Sequence, residues 1–173
     1  MSDHGGALTV IFVFLAVICS GTAWGAEANP FAEVKSFVLH KDTFKASKTL
    51  LKIDDENLSA KDRALKYFAL GLWEQHQQKY DQAESYFYKS MAADSVLSIH
   101  DKFQLALNYK YKQDFKQAQK LFEEVRHTKA PRNMQLSTRY ELSDLYMKSK
   151  KWHKARRMLV HLERRWRGDP KRP

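Results

Sequence analysis

Alanines recur along this chain at nearly equal intervals. Ala46, Ala83, Ala118 and Ala155 lie 37, 35 and 37 residues apart. Each of the last three has an aromatic residue three positions before it and a large apolar residue four positions after it. These two columns are Tyr80, Phe115 and Trp152, and then Phe87, Phe122 and Leu159. Spacings of i, i+3 and i+7 place side chains on one face of an α-helix, so the chain repeats one amphipathic helix at a nearly fixed period.

A second helix is predicted before each of the last three alanines. A leucine stands thirteen positions upstream of each, and a small residue follows it, giving Leu70-Gly71, Leu105-Ala106 and Leu142-Ser143. Antiparallel helices approach closely only where side chains are small, so we expect Gly71 to lie opposite Ala83, with equivalent pairs in the other units. Turns at 77–79, 112–114 and 149–151 would join the helices. With only 6 Gly and 4 Pro in 173 residues, the sequence predicts an all-α fold with short connections.

The order of these columns resembles the tetratricopeptide repeat (TPR). The first unit carries it as Leu70-Gly71, Tyr80, Ala83 and Phe87, and two further units follow. The resemblance implies a right-handed solenoid of helix-turn-helix units, with about three full units in residues 59–168 and a basic tail at 169–173. Residues 29–58 keep only part of the pattern, and we expect a degenerate helical hairpin or N-terminal cap there. A generic helical bundle whose alanines fall in register by chance is the alternative.

Residues 1–28 have the composition of an export signal. Leu8 to Cys19 is an uncharged apolar run, shorter than the roughly 20 residues needed to span a bilayer. An Ala-x-Ala motif at 26–28 offers a cleavage site, and Ala23-Trp24-Gly25 is a second possibility. We therefore expect a periplasmic or extracytoplasmic protein. Because the first six residues contain no Lys or Arg, an uncleaved N-terminal membrane anchor stays open as the alternative. Cleavage would remove Cys19, the only cysteine, and with it any disulfide.

The resemblance also implies a partner-binding groove lined by the first helix of each unit. Its expected residues flank each leucine–small pair: Phe68, Leu72, Gln75, His76, Phe103, Lys110, Tyr111, Tyr140, Asp144, Met147 and Lys148. The aromatic residues Phe68, Phe103 and Tyr140 would form an apolar floor, on which Lys110 and Lys148 would hold a carboxylate or a phosphate. Two alternatives stand beside this prediction. In the first, which we favour, Phe68 and Phe103 pack between repeats; in the second, Lys110, Tyr111 and Lys148 form an ordinary solvated face.

A second candidate surface is the basic C-terminal stretch. The chain has a net charge of +10, and we expect a basic patch formed by Lys154, Arg157, Arg164, Arg165 and Arg167. Such a surface favours an acidic protein segment or an anionic cell-wall polymer as partner, whereas export argues against nucleic acid. A plain solvated surface is the alternative. No polar capping helix is predicted after Leu162, so either a partner covers that edge or the chain belongs to a longer architecture.

Catalytic motifs give no convincing candidate. The seven histidines show no metal-binding H-E-x-x-H spacing, and there is no G-x-S-x-G motif or Gly-rich phosphate loop. Glu84-Ser85 resembles the Glu-Ser pair of lytic transglycosylases, but it lies inside a predicted repeat helix and is interpreted as surface. We expect no enzyme activity, no metal and no cofactor. The expected function is protein binding or scaffolding in the bacterial cell envelope. A non-catalytic helical arm beside a peptidoglycan-cleaving enzyme is the alternative.

Overall fold

The computed structural model describes residues 31–40 and 42–167, with side chains described up to residue 164. Within these ranges the chain is all-α, as predicted, with no strand. The helices are α1 (Ala32–Leu39), α2 (Thr43–Lys52), α3 (Ala60–His76), α4 (Tyr80–Ala93), α5 (Ser98–Tyr111), α6 (Phe115–Arg126), α7 (Arg132–Lys148) and α8 (Trp152–Arg167), and a single 3₁₀ turn covers Ser95–Leu97. The predictions for residues 1–28 and for the tail at 169–173 lie outside the described residues.

The described residues divide into two compact units, one up to Asp101 and the other from Lys102, so the boundary falls within α5. The first unit contains α1 to α4, and the second contains most of α5 together with α6, α7 and α8. In the first unit α1 packs against α2, α2 against α3 and α3 against α4, and in the second α6 packs against α7 and α7 against α8. None of the described helices is both long enough and apolar enough to cross a membrane.

The first unit has a core of aliphatic side chains between α1, α2 and α3. Val34, Val38, Leu50 and Leu70 are each at most 1 % exposed. Helix α2 begins at Thr43 because the Asp42 side chain accepts a hydrogen bond from the Lys45 amide, which satisfies one free N–H of the first turn. Ser59 caps α3 in the same way through the Asp62 amide. The helix starts therefore follow from local residue choice, and their packing follows from the apolar faces.

Side chains of α3 hold the connection between α2 and α3. The Lys66 ammonium donates to the Ile53 carbonyl oxygen at 2.6 Å and to Oδ1 of Asp55 at 2.7 Å. The Tyr67 hydroxyl donates to the other oxygen of Asp55, and Arg63 donates to the Asp55 carbonyl oxygen at 3.0 Å. Lys66 is only 6 % exposed, so its charge depends on these acceptors.

Gly71 lets α3 and α4 approach each other, as the sequence predicts, but its closest neighbour differs from the expected one. A Cβ atom added at Gly71 would lie 2.6 Å and 2.8 Å from two ring carbons of Phe87. Phe87 stands one helical turn after Ala83 on the same face, and both are fully buried. The small residue therefore accommodates the phenylalanine ring, because a flat ring fills the space that a missing side chain leaves.

The three turns within the repeated hairpins share one backbone conformation. Gln78, Gln113 and Lys150 have φ values of 61°, 63° and 57°, in the left-handed region. In each turn this residue donates its N–H to the carbonyl three positions back, and the next residue donates to the carbonyl five positions back, as in Lys79 to Glu74 at 2.9 Å. This pattern is the Schellman motif that ends a helix. The predicted turns thus repeat in geometry as well as in sequence.

The second unit is built around the predicted alanines and their partners. Ala106, Ala118, Phe122, Leu142 and Tyr146 are all at most 1 % exposed and form one cluster with Ala155. The Asp114 side chain caps α6 by accepting from the Gln117 amide. The residues of the leucine, small and alanine columns therefore lie in the core of this unit.

Trp152 departs from the predicted pattern. The i, i+3, i+7 stripe places Trp152, Ala155 and Leu159 on one apolar face, yet Trp152 is 62 % exposed and Leu159 is 41 % exposed. Ala155 and Met158 make the apolar contact with the cluster instead. In the earlier hairpins Phe87 and Phe122 at the Leu159 position are fully buried. The structure describes no helix after α8 that could cover the same face there.

Candidate binding surface

Two of the predicted groove residues lie in the core of the first unit. Phe68 is 1 % exposed and Leu72 is 4 % exposed. The Phe68 ring packs against Phe87, with centroids 5.9 Å apart, and meets His100 edge-on at 6.5 Å. The prediction that these two residues line an open groove is corrected, because a partner could reach them only by opening α3 from α4. The favoured alternative, burial of Phe68, is what the structure has.

The other groove residues of the first unit are more accessible. Gln75 is half-buried and His76 is exposed. The His76 ring stacks on Trp73 with centroids 6.5 Å apart, and Trp73 in turn contacts Phe44 at 6.4 Å. This end of α3 therefore presents a small aromatic cluster that includes one exposed histidine.

Phe103 is half-buried in the second unit. Its ring meets Phe122 edge-on, with centroids 5.6 Å apart. Because one side of the ring is occupied by this core contact, Phe103 serves mainly in packing α5 against α6. A continuous aromatic floor of Phe68, Phe103 and Tyr140 is therefore not present, since only Tyr140 is exposed.

Lys110 already has two carboxylate partners. Its ammonium lies 2.6 Å from Oε2 of Glu141 and 2.8 Å from Oδ2 of Asp144, which connects α5 to α7. Burial by itself would lower the pKa of Lys110, but the hydrogen bonds and the attraction from the two carboxylates outweigh it and raise the pKa. In the free chain the charge of Lys110 is thus matched within the protein, and its role as a clamp for an external anion stays a prediction.

Lys148 takes part in the same network. Its ammonium lies 3.2 Å from Oδ2 of Asp144 and 5.4 Å from the centroid of the Phe115 ring. Burial tends to raise the pKa of Asp144, but hydrogen bonds from the two lysines lower it below its usual value. Two cations and two anions thus meet on this side of the second unit, and the network has no net charge.

Exposed apolar groups lie beside this network. Tyr140 is 62 % exposed, Tyr111 is 53 % exposed and Met147 is 41 % exposed. Tyr140, Asp144 and Met147 lie on one side of α7, because residues four and seven positions apart share a helical face. We call Tyr140, Asp144, Met147 and Lys148 the α7 face. It combines an aromatic ring, a flexible thioether and paired charges, which suits contact with an amphipathic protein surface.

The predicted basic patch is divided between two surroundings. The Lys154 ammonium lies 5.6 Å from the centroid of the Tyr146 ring. Arg157 and Arg164 line an open concavity of about 520 Å³ between α6, α7 and α8, and Lys154 is not among its lining residues. The side chains of Arg165 and Arg167 lie outside the described residues. Of the predicted patch residues, Arg157 and Arg164 therefore lie together at one concave surface, and the role of the patch stays a prediction.

The concavity contains residues that the sequence reasoning missed. Arg126 comes from the last turn of α6, Arg139 comes from α7, and Arg156 joins Arg157 and Arg164 on α8. We call these five residues the arginine concavity; His153 and His161 also line it. The spacing of 153, 156, 157, 160, 161 and 164 is that of one helical face and could have revealed the α8 part. Nothing in the sequence places Arg126 and Arg139 beside it.

One carboxyl group with an unusual pKa lies in the core. Asp101 is fully buried, and its Oδ2 lies 3.1 Å from the Ser90 hydroxyl, while its Oδ1 has no hydrogen-bond partner. Burial raises the pKa of Asp101 to about 7, partly opposed by the hydrogen bond from Ser90. Because no part of Asp101 reaches solvent, it is not placed to act on a bound molecule. In the described part of the chain, no group of three His, Cys, Asp or Glu residues is arranged to hold a metal ion.

Comparisons with known proteins add no family to this description. The chain matches no protein-family model and no curated protein. The resemblance to the tetratricopeptide repeat accordingly depends on the residues quoted above.

Proposed function

We propose that this chain is an exported, non-catalytic protein of the tetratricopeptide type that binds another protein in the bacterial cell envelope. The proposal is supported by helical hairpins that repeat at the spacing of the alanine column, with the same Schellman turn in each. The export part of the proposal is supported by the sequence pattern of residues 1–28. In this proposal the hairpins stack as a right-handed solenoid.

The observation that carries the proposed binding role is the exposure of the α7 face. Tyr140 and Met147 present apolar surface to solvent on the same helix side as the charge pair of Asp144 and Lys148. Exposed aromatic and methionine side chains are enriched in the centres of protein interfaces, where their burial supplies most of the binding free energy. The polar rim is already fixed by ion pairs, so little side-chain entropy is lost on binding.

The partner best suited to this face is an amphipathic protein segment with acidic residues. Its apolar side chains would cover Tyr140 and Met147, while its carboxylates would approach Lys148, whose side chain is 47 % exposed. The net charge of +10 on the chain favours such a partner during encounter. Lys110 contributes indirectly by holding Asp144 in place.

Site-specific photocrosslinking tests the role of the α7 face. A photoreactive phenylalanine analogue replaces Tyr140 in the full-length chain, and the same analogue replaces Tyr88 as a matched control. Tyr88 is also an exposed tyrosine on a helix, at 49 %, but it lies on α4 in the first unit. We expect one discrete protein adduct from position 140 and none from position 88. Equal labelling from both positions, or none from position 140, contradicts the proposal.

The identified partner then permits a direct measurement. Met147→Asp should weaken its binding by about tenfold or more, because an apolar anchor is replaced by a charge that must be desolvated. The circular dichroism spectrum of the variant should be unchanged. Mass spectrometry of the mature N-terminus tests export separately: we expect the chain to begin at Asn29, and an intact N-terminus would identify the membrane-tethered alternative.

A further inference from the structure

The arginine concavity brings five guanidinium groups to one surface of the second unit. Its volume of about 520 Å³ lies within the range of roughly 300–1,000 Å³ that is usual for small-molecule sites. Five of its lining residues are arginines, two are histidines, and no Asp or Glu is among those described. Such a lining would repel cations and would concentrate anions.

The hairpin fold does not require these arginines. Counting from the alanine column, Arg156 and Arg157 occupy positions that other residue types fill in α4 and α6. The equivalent residues are Glu84 and Ser85 in α4, and Gln119 and Lys120 in α6. The same kind of hairpin forms with acidic, neutral or basic residues at these positions. Arg156 and Arg157 are therefore a feature of the last hairpin that the fold itself does not need.

Two of the arginines are held in position by their own unit. Arg139 donates to the carbonyl oxygen of Gln135 at 3.1 Å and to its side-chain oxygen at 2.9 Å. Arg126 donates to Oε2 of Glu123 at 2.6 Å, and Glu123 also accepts from Tyr146. These contacts fix the two guanidinium groups, so part of the entropic cost of binding a ligand is already met.

The other three arginines have no carboxylate partner among the described residues. Arg156, Arg157 and Arg164 are exposed on α8, and neither an ion pair nor a hydrogen bond joins their guanidinium groups to the described part of the chain. Glu123, beside the concavity, is bound to Arg126. The three exposed arginines of α8 therefore bring positive charge to one concave surface whose described lining contains no Asp or Glu.

We propose that the arginine concavity binds a ligand that carries two or more phosphate groups. Guanidinium groups present paired N–H donors that match phosphate oxygens in a bidentate arrangement, which lysine cannot do. A single phosphate would contact one or two arginines, whereas the size and charge of the site suit a polyphosphate or a phosphate-rich headgroup. This site is separate from the α7 face, so either proposal can fail without the other.

Titration calorimetry with sodium tripolyphosphate tests the proposal on the mature chain at about 0.15 M salt, where unspecific attraction is screened. The cavity variant is Arg156→Gln with Arg164→Gln. The matched control, Lys116→Gln with Lys120→Gln, removes the same charge from exposed positions on α6 outside the concavity. We expect the cavity variant to bind at least tenfold more weakly and the control to change by less than about threefold. Equal weakening of both variants, or no binding by the unmodified chain, overturns the proposal.

Two further variants and probes separate the phosphate assignment from general charge. Arg156→Lys with Arg164→Lys keeps the charge and removes the paired donors, so binding should still fall by several fold. Undiminished binding by this variant overturns bidentate recognition. Citrate carries three carboxylates, and competition equal to that of tripolyphosphate overturns the choice of phosphate. Unchanged helical circular dichroism and melting temperature show that each variant is folded.

Vesicles distinguish the source of the phosphate. Cardiolipin vesicles that bind the mature chain, and that fail to bind the cavity variant, identify a lipid headgroup as the ligand. Tripolyphosphate binding without cardiolipin binding identifies a soluble phosphate compound. Both results support the site, and neutral phosphatidylcholine vesicles should remain unbound in each case.

Discussion

Replacing Gly71 by alanine should destabilise the protein, although the same change usually stabilises a helix. In an exposed helix interior, alanine is about 1 kcal/mol more favourable than glycine. At Gly71 the new methyl group would lie 2.6 Å from Cε1, 2.8 Å from Cδ1 and 3.1 Å from Cζ of Phe87. Carbon atoms prefer a separation of about 3.5–4.0 Å, so the ring or the helix must shift by about 1 Å.

The Phe87 ring has little room to make that shift. It is fully buried and packs against Phe68. Overpacking of this kind costs about 1–3 kcal/mol, which exceeds the gain in helix propensity. We therefore expect Gly71→Ala to lower the free energy of unfolding by about 1 kcal/mol, measured by urea denaturation at neutral pH.

A double-mutant cycle with Phe87→Leu isolates the clash. Leucine has no flat ring to meet the added methyl group, and the third hairpin carries Ser143 and Leu159 at the equivalent sequence positions. The two substitutions should be coupled by about 1 kcal/mol or more, so that Gly71→Ala is less harmful in the Phe87→Leu background. As a matched control, Ala106→Gly at the same position of the next hairpin should also destabilise. Stabilisation by Gly71→Ala of about 1 kcal/mol, with no coupling, would refute the close-approach argument.

Three further predictions concern charge, backbone and ion pairs. Asp101 ionises more easily in the unfolded chain, near pH 3.8, than in the folded one, near pH 7, so stability should fall as pH rises between these values. By pH 8 the free energy of unfolding of the unmodified chain should have fallen by about 4 kcal/mol more than that of Asp101→Asn, measured by urea denaturation. Parallel pH profiles for the two proteins would contradict this expectation. Gln113→Gly should raise stability by about 0.5–1 kcal/mol, because glycine adopts a positive φ without strain, whereas Lys112→Gly should lower it; thermal melting compares the two. Lys110→Met should cost about 1–3 kcal/mol in denaturant unfolding, because it removes the cation from half-buried Glu141 and leaves Asp144 with Lys148 alone, and Lys148→Met, at a more exposed site, should cost less.

The repeated hairpins could be predicted from the sequence because their signals are local. Small and apolar residues at helical spacing determine which face of a helix is buried. Leu70, Ala83 and Ala118 are all buried, as predicted. Caps such as Asp42 and Ser59 mark where helices begin. These features depend only on residues within a few positions of each other.

Features that depend on distant residues were not predictable. The carboxylate partners of Lys110 lie 31 and 34 positions later in the chain, so its sequence neighbourhood suggested a free cation. Arg126 and Arg139 likewise join the α8 arginines only through the packing of three helices. Periodicity also cannot say whether a face is covered, as the exposure of Trp152 shows. Function is most sensitive to these long-range arrangements.

The attachment of α1 and α2 to the rest of the first unit has a consequence for how that unit unfolds. If these helices came loose, the ammonium of Lys66 would lose its acceptors at Ile53 and Asp55. Loss of these charge-assisted hydrogen bonds is unfavourable, so fraying from the N-terminal side is opposed by α3 itself. Slow amide hydrogen exchange should accordingly decay in α1, α2 and α3 as one cooperative block, even though α1 and α2 are the least repeat-like part of the chain.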